Sequence, residues 1–205
     1  LSPGASHDPA ILAPEAVLGV PVGTRPADHR EVFELWTAWA EQSPRVLLET
    51  TGRTYEGRQL AVGIVSSAEN IAAIESIRES LGRLADPRGL SDAEEERIVT
   101  STPPVAWMGY SIHGDEMSGV DGGLAFAHHL IASTDEDVAR LLERVVVVID
   151  PMMNPDGRER FLSMLRQTAG YVPNLNSDSM HRGRRPYGRG NHYLFDMHRD
   201  WLPGV

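Results

Sequence analysis

The sequence predicts an α/β domain in which an antiparallel hairpin precedes a parallel crossover, and one domain is favoured for a chain of 205 residues. The crossover is predicted from a succession of strand, helix, helix and strand: Pro104–Ile112, Ser118–Ala132, Asp135–Glu143 and Val145–Asp150. Strands that alternate with helices pair in parallel, and the almost wholly apolar last segment is typical of a central strand buried on both faces.

The first half of the chain supplies the hairpin and a helix to cover it. Asp28–Glu41 carries apolar residues on one stripe, and Asp28 and Glu31 have the spacing of a capping box, so an amphipathic helix is predicted. Arg45–Thr51 and Gln59–Ser66 are strand-like runs separated by a polar segment with glycines. This pattern favours a hairpin at an antiparallel edge of the sheet.

The remaining segments complete the assignment. Ser67–Leu84 has apolar residues at helical spacing, and Ser91 begins a capping signal before a short acidic helix. Leu1–Pro26 is rich in Pro, Gly and Ala and is predicted to be an extended lead-in, which leaves 27–205 as the folded domain. Gln167–Gly190 has no periodicity and is predicted to be a long functional loop.

Composition excludes several classes of function. The formal net charge of −10 disfavours sequence-independent nucleic-acid binding, which needs a basic surface, and it disfavours an anionic membrane surface for the same reason. No apolar run approaches the roughly 18 residues of a membrane span. The chain has no cysteine, so any metal must be held by His, Asp or Glu.

The motif His113-Gly-Asp-Glu116 follows the first strand of the crossover, at the place where ligands bind in open α/β sheets. Catalytic zinc takes His nitrogen and carboxylate oxygen from proteins and keeps one position open for water. His113 and Glu116 can therefore supply two of the three protein ligands of a zinc ion, although a pair at this spacing is also common on a solvated loop. Asn154–Gly157 follows the next strand and is predicted to be a tight turn.

A second group of charged residues lies near the end of the chain. Asp196, His198 and Arg199 stand within four positions, next to the large apolar side chains of Phe195 and Trp201. Charged groups in such surroundings are partly desolvated, so they are predicted to be paired or functional.

Three motifs resemble, in order and spacing, those of the zinc metallocarboxypeptidases, the family of carboxypeptidase A. They are His113–Glu116, Asn154–Gly157 and Asp196–Trp201, and Thr51–Arg58 looks like that family's early hairpin. The match begins near Pro14, and the segments Asp150–Gly157 and Gly190–Phe195 resemble large bacterial members of the family more closely still. It implies an α/β fold with a mixed parallel and antiparallel sheet and helices on both faces, of which this chain would be the N-terminal two-thirds.

The resemblance also implies roles for individual residues. His113 and Glu116 would bind zinc, and Asp196 would accept a hydrogen bond from the zinc-bound imidazole and fix its tautomer. Arg199 would grip the C-terminal carboxylate of a peptide substrate, for which the guanidinium fork is suited. His198 stands where the family usually has Asn, and its protonation near neutral pH would alter carboxylate binding.

The family's reaction removes C-terminal residues from peptides with a zinc-activated water and a glutamate base. Stabilisation of the oxyanion is assigned by resemblance to Arg182, with Arg184, Arg185 and Arg189 as alternatives. The third zinc ligand and the glutamate lie farther downstream in the family. We therefore expect both beyond Val205, and we expect the isolated chain to be inactive and to self-associate as a homo-oligomer through an exposed sheet edge.

Two alternatives stay open on the sequence alone. The first is a non-catalytic relative that keeps the fold and binds peptides, which His198 and the missing downstream ligand favour. The second is an amidohydrolase acting on cell-wall peptides or acylated amino acids, because such a site can be adapted to those substrates. Related bacterial proteins are commonly exported, so the resemblance suggests a secreted or periplasmic location that the residues themselves do not determine.

Overall fold

The computed structural model describes residues 4–172, 174–179 and 188–201. Its strands are β1 (Val46–Arg53), β2 (Gln59–Val65), β3 (Val105–Gly109) and β4 (Val146–Asp150). They form a sheet in the order β1-β2-β4-β3, in which β2 is antiparallel to both β1 and β4, whereas β3 is parallel to β4. The predicted mixed sheet, with its hairpin and its parallel crossover, is confirmed.

The helices are, in chain order, α1 (Pro14–Leu18), α2 (His29–Gln42), α3 (Ala68–Ala72), α4 (Ile74–Ala85), α5 (Asp92–Ser101), α6 (Ser118–Ala132), α7 (Glu136–Arg144) and α8 (Pro155–Thr168), followed by a 3-10 helix at Met197–Arg199. The two predicted capping boxes are present, at Asp28 and Glu31 of α2 and at Ser91 and Glu94 of α5. Along the described residues, none of the helices is long and apolar enough to cross a bilayer.

Helices cover both faces of the sheet, because successive side chains of a strand point to opposite sides. Val147 and Ile149 of β4 belong to a core that includes residues of α2 and α6. Val146 and Val148 belong to a second core on the other face, which includes residues of α4. β4 is thus buried on both faces, as its apolar sequence predicted.

One predicted helix is interrupted in the structure, and one predicted strand is shorter. Ser67–Leu84 is not one helix, because Ala73 interrupts it between α3 and α4. The side chain of Asn70 donates to the carbonyls of Leu142 and Glu143 at 3.1 Å, which anchors α3 to the end of α7. The strand predicted at Pro104–Ile112 ends earlier, at Gly109, because Ser111 has a positive φ of 58° that no strand accommodates.

The sequence predicted a tight turn at Asn154–Gly157. In the structure this segment is instead the start of α8, with Asn154 as its N-cap. The Asn154 side chain accepts a hydrogen bond from the backbone N–H of Gly157, and Pro155 occupies the first turn of the helix, where its missing N–H has no cost. The same residue types serve in turns and in helix caps, so the local pattern did not distinguish the two.

The lead-in segment 1–26 is not wholly extended in its described part, since it contains α1. Ile11 and Leu18 of this segment are buried in the core with α2 and α6. His7 forms an isolated antiparallel bridge with Ser133, just after α6. The boundary at residue 26 stays a prediction.

Candidate metal centre

His113 and Glu116 lie in the loop that follows β3 and precedes α6, beyond the carboxyl end of a parallel strand. His113 is buried, with 3% of its surface exposed, whereas the Glu116 side chain is 63% exposed. Nδ1 of His113 lies 2.9 Å from Oε1 of Glu116. The imidazole is therefore held firmly by its surroundings, and the carboxylate reaches it from the solvent side.

The other ring nitrogen of His113 faces Asp196, with 3.0 Å between Nε2 and Oδ1. Burial alone would raise the pKa of Asp196, but hydrogen bonds from His113 and Arg189 outweigh it and lower this pKa to about 2. The carboxylate is then ionised and can only accept, so Nε2 is the donor, and in the neutral form of the ring Nδ1 carries the lone pair.

This assignment leaves two acceptors facing each other, Nδ1 of His113 and Oε1 of Glu116, at 2.9 Å. Two lone pairs at that distance repel unless a cation or a proton lies beside them. Imidazole nitrogen and carboxylate oxygen are also ligand types that zinc uses in hydrolases. The chemistry of the donor pair therefore fits zinc, and the Asp196 hydrogen bond is the kind of contact that orients a metal-binding imidazole.

Arg189 adds a positive charge on the same side of the site. Its Nε donates to Oδ2 of Asp196 at 2.8 Å, and its Nη1 lies 3.3 Å from Nδ1 of His113 and 4.0 Å from Oε1 of Glu116. Arg189 was predicted only as an alternative for oxyanion stabilisation. In the structure it contacts the candidate ligands themselves.

Close backbone packing positions the loop that carries His113. The N–H of Gly114 donates to the carbonyl of Gly188 at 2.6 Å, and a Cβ on Gly114 would lie only 2.1 Å from the backbone nitrogen of Arg158. A Cβ on Gly157 would lie 2.3 Å from the carbonyl oxygen of Gly188. Three segments of the chain meet here at distances that only glycine permits.

Asn154 joins the same three segments through its side chain, which is buried with 2% exposure. Its Nδ2 lies 3.2 Å from the carbonyl oxygen of Ile112 and 3.1 Å from those of Arg189 and Gly190. Its Oδ1 accepts from Gly157 at 2.9 Å. The residue before His113 and the backbone of Arg189 and Gly190 are thus tied to the start of α8. The sequence did not predict this positioning role for Asn154.

Arg158 is a second buried residue that the sequence did not single out. Its guanidinium donates to the carbonyls of Ala27 and Met117 at 3.0 and 3.1 Å and lies 3.7 Å from Asp121. Burial lowers the pKa of Arg158, an effect that Asp121 partly opposes. The arginine fixes the end of the ligand loop against the segment that leads into α2.

The hairpin between β1 and β2 contacts the start of α8 through Asp156, the acid of the second motif. Thr54 and Arg58 donate to Oδ1 of Asp156 at 2.8 and 2.7 Å. Glu56 of the hairpin accepts from Arg58 and contacts His192 at 3.0 Å, and chiefly the Arg58 hydrogen bond lowers the pKa of Glu56 to about 2. The early hairpin motif and the second motif therefore form one charged network.

The residues predicted to bind substrate lie in the 3-10 helix after Asp196. The ring centroid of His198 is 5.3 Å from that of His113, and the backbone N–H of His198 donates to Asp196. Arg199 is exposed, and its guanidinium has no hydrogen-bond or ion-pair partner within the described part of the chain. Its backbone N–H donates to the carbonyl of Asp196 at 2.9 Å.

Arg182, the residue predicted to stabilise the oxyanion, lies outside the described residues, as do Arg184 and Arg185. Within the described ranges, no group of three His, Cys, Asp or Glu side chains could hold a metal ion. The structure therefore brings together two candidate ligands and the aspartate behind one of them.

The fold and the donor pair define a class of protein: α/β domains that present a histidine and a carboxylate beyond the carboxyl end of a parallel strand. The model of a known family, zinc carboxypeptidase, matches residues 33–204. The chain therefore belongs to the zinc carboxypeptidase family, which confirms the resemblance found in its motifs.

Solved structures of other carboxypeptidases are similar to this chain at low identity. A metallo-carboxypeptidase from Burkholderia cenocepacia has 19% identity, with 86% of this chain and 33% of that chain covered and a TM-score of 0.47. Carboxypeptidase A from Helicoverpa armigera has 17% identity, with 83% and 44% covered and a TM-score of 0.47. The chain thus spans about a third to less than half of their length. Among curated proteins, none matches the chain.

Proposed function

We propose that a protein containing this chain is a zinc metallocarboxypeptidase that hydrolyses C-terminal residues from peptides, with His113 and Glu116 as two of the zinc ligands. The observation that supports this most is the approach of Nδ1 of His113 to Oε1 of Glu116 at 2.9 Å, while Nε2 is bonded to Asp196. When bound, zinc would supply an activated water and polarise the scissile carbonyl.

The chain's own residues would orient the imidazole and the substrate. Asp196 holds His113 in the tautomer that leaves Nδ1 available, and its low pKa keeps it an acceptor across the physiological range. Arg199 would bind the C-terminal carboxylate, because it is exposed and unpaired within the described residues. His198, beside His113, would contact the same carboxylate, and Arg182 would stabilise the oxyanion.

We further propose that the 205-residue chain by itself holds zinc weakly and does not hydrolyse peptides. Two protein ligands are fewer than the three that catalytic zinc sites use, and the described residues offer no group of three. The third ligand and the general base would come from elsewhere in the protein.

The metal half of the proposal is tested by zinc titration against a chromophoric chelator. We expect the chain to bind zinc measurably and His113→Ala to bind it at least about tenfold more weakly, since one of two ligands is lost. His29→Ala is the matched control, because His29 lies on α2 and its ring contacts the carbonyl of Gln59. Equal zinc affinity in the His113 and His29 variants would disprove the site.

The substrate half is tested with Arg199→Ala in a longer protein that contains this chain and hydrolyses peptides. We expect KM to rise for peptides with a free C-terminus, because the guanidinium would no longer pair with the carboxylate. C-terminally amidated peptides are the control. If both classes of peptide were affected equally, Arg199 would not be the carboxylate-binding residue.

A second candidate function is peptide binding without hydrolysis. It is favoured by His198, which stands where the family usually has Asn, and by the two-ligand set of the described residues. Calorimetry with a peptide that has a free C-terminus distinguishes the two: binding without release of the terminal residue in the longer protein favours this candidate.

A further inference from the structure

We propose that Arg189 competes with zinc for the His113–Glu116 pair and must turn away before the metal binds. The inference rests on the proposed function, because it concerns the same two ligands. The new element is the role of Arg189, which neither the family assignment nor the sequence motifs give. Its side chain would provide the positive charge beside His113 and Glu116 in the metal-free protein.

The geometry carries this inference. Nη1 of Arg189 lies 3.3 Å from Nδ1 of His113, so its N–H is directed at the lone pair that a metal would need. The same nitrogen lies 4.0 Å from Oε1 of Glu116. One guanidinium nitrogen is thus within hydrogen-bond distance of Nδ1 of His113 and within ion-pair distance of Oε1 of Glu116, and a zinc ion bound to these two atoms would meet its charge at close range.

The charges around the site explain why an arginine is favourable without metal. Glu116 and Asp196 are two carboxylates on either side of the same imidazole, and Arg189 pairs with both. Its charge compensates them when zinc is absent. Once a divalent cation binds, it and the Arg189 guanidinium are two positive charges within a few ångströms of each other. Their Coulomb repulsion favours movement of the guanidinium away from the site.

Arg189 can leave without disturbing the loop that carries it. Its carbonyl is fixed by the buried Asn154, whereas its side chain is 45% exposed. Rotation about side-chain bonds would release His113 and Glu116 while the backbone between Gly188 and Gly190 keeps its contacts. The displacement therefore costs side-chain hydrogen bonds and no refolding.

The test is a zinc titration of the 205-residue chain against a chromophoric chelator, with Arg189→Gln, Arg189→Lys and the control Arg83→Gln. We expect Arg189→Gln to bind zinc about fivefold or more tightly than wild type, because a competing charge is removed. Arg189→Lys keeps the charge and should stay near wild type. Arg83 lies on α4 and pairs with Glu94, so its variant corrects for the change in net charge.

Thermal unfolding with and without zinc is a second measurement. It distinguishes an Arg189 that competes with zinc from an Arg189 that only stabilises the Asp196 carboxylate. Without zinc, Arg189→Gln should unfold at a lower temperature than wild type, because two carboxylates lose their counter-charge, and zinc should raise its unfolding temperature by more than it raises that of wild type.

Each outcome decides the proposal. If Arg189→Gln binds zinc as tightly as wild type or more weakly, Arg189 does not compete with zinc. The inference is then wrong, but the proposed zinc site is unaffected. If wild type and His113→Ala bind zinc equally, the proposed function fails and the inference fails with it.

Discussion

Asn154 fixes the segment that leads into His113 relative to the segment that carries Arg189. Its amide contacts the carbonyls of Ile112 and Arg189, the first adjacent to His113 and the second belonging to the arginine beside it. These contacts are buried, so water does not replace them when the side chain is lost. One residue therefore maintains both the helix cap of α8 and the spacing of the site.

We expect Asn154→Ala to lower the free energy of unfolding by about 2 to 4 kcal/mol, because a helix cap is lost and several buried carbonyls lose a donor. The measurement is urea-induced unfolding followed by circular dichroism. Ser67→Ala is the control, since it removes the cap of α3 alone and should cost about 1 kcal/mol. Similar losses in both variants would show that the contacts of Nδ2 add little.

At the scale of elements, the carboxyl end of β4 carries a carboxylate that the proposed mechanism does not use. Asp150 lines a cavity of about 230 Å³ together with Ile112, Met153 and Trp201. Burial raises the pKa of Asp150 to about 6, although a hydrogen bond from the backbone N–H of Met152 acts in the opposite direction. A strand buried on both faces thus ends in a group that is expensive to ionise.

This shift predicts how stability depends on pH. The pKa of Asp150 is higher in the folded state than in the unfolded chain, so its contribution is fully present below about pH 4 and is lost as pH rises through about 6. We expect Asp150→Asn to gain on the order of 2 to 3 kcal/mol in unfolding free energy relative to wild type between pH 4 and pH 7.

The measurement for Asp150 is urea unfolding at four pH values across that range. Asp178→Asn, at an exposed position, is the control and should leave the pH dependence of wild type unchanged. A constant difference between Asp150→Asn and wild type at every pH would contradict the raised pKa.

At the scale of the whole molecule, β3 forms one edge of the sheet and pairs only with β4 within the described residues. Val105 and Trp107 of β3 are 41% and 62% exposed. An apolar strand with unpaired backbone groups on one side is a surface to which other chains can add. The expected self-association through a sheet edge stays a prediction, and these side chains are where it would occur.

We expect the chain to form dimers or larger species at high concentration and Trp107→Lys to shift it toward monomer, because a charge on an edge strand opposes pairing. Sedimentation velocity across a concentration series measures both. Val99→Lys is the control, since Val99 is also exposed but lies on α5. A wild-type chain that stays monomeric throughout would rule out this prediction.

Much of the fold follows from local patterns. The capping boxes at Asp28 and Ser91, the hairpin and the doubly buried β4 were all predictable, because backbone periodicity and cap chemistry involve residues within a few positions of each other. The whole of α8 was missed: its first residues were assigned to a turn, because Asn, Pro and Gly are common to turns and to helix ends, and its last two residues were assigned to the loop 167–190.

The sequence by itself determined the types of most elements, the His113–Glu116 pair and the family, since each is a matter of residue identity at short spacing. Only the tertiary structure decided that Arg189 reaches this pair and that Asn154 holds it, because those contacts join residues 35 to 76 positions apart. Their formation depends on how whole segments pack, through glycines that allow backbones to touch. No local pattern contains that information.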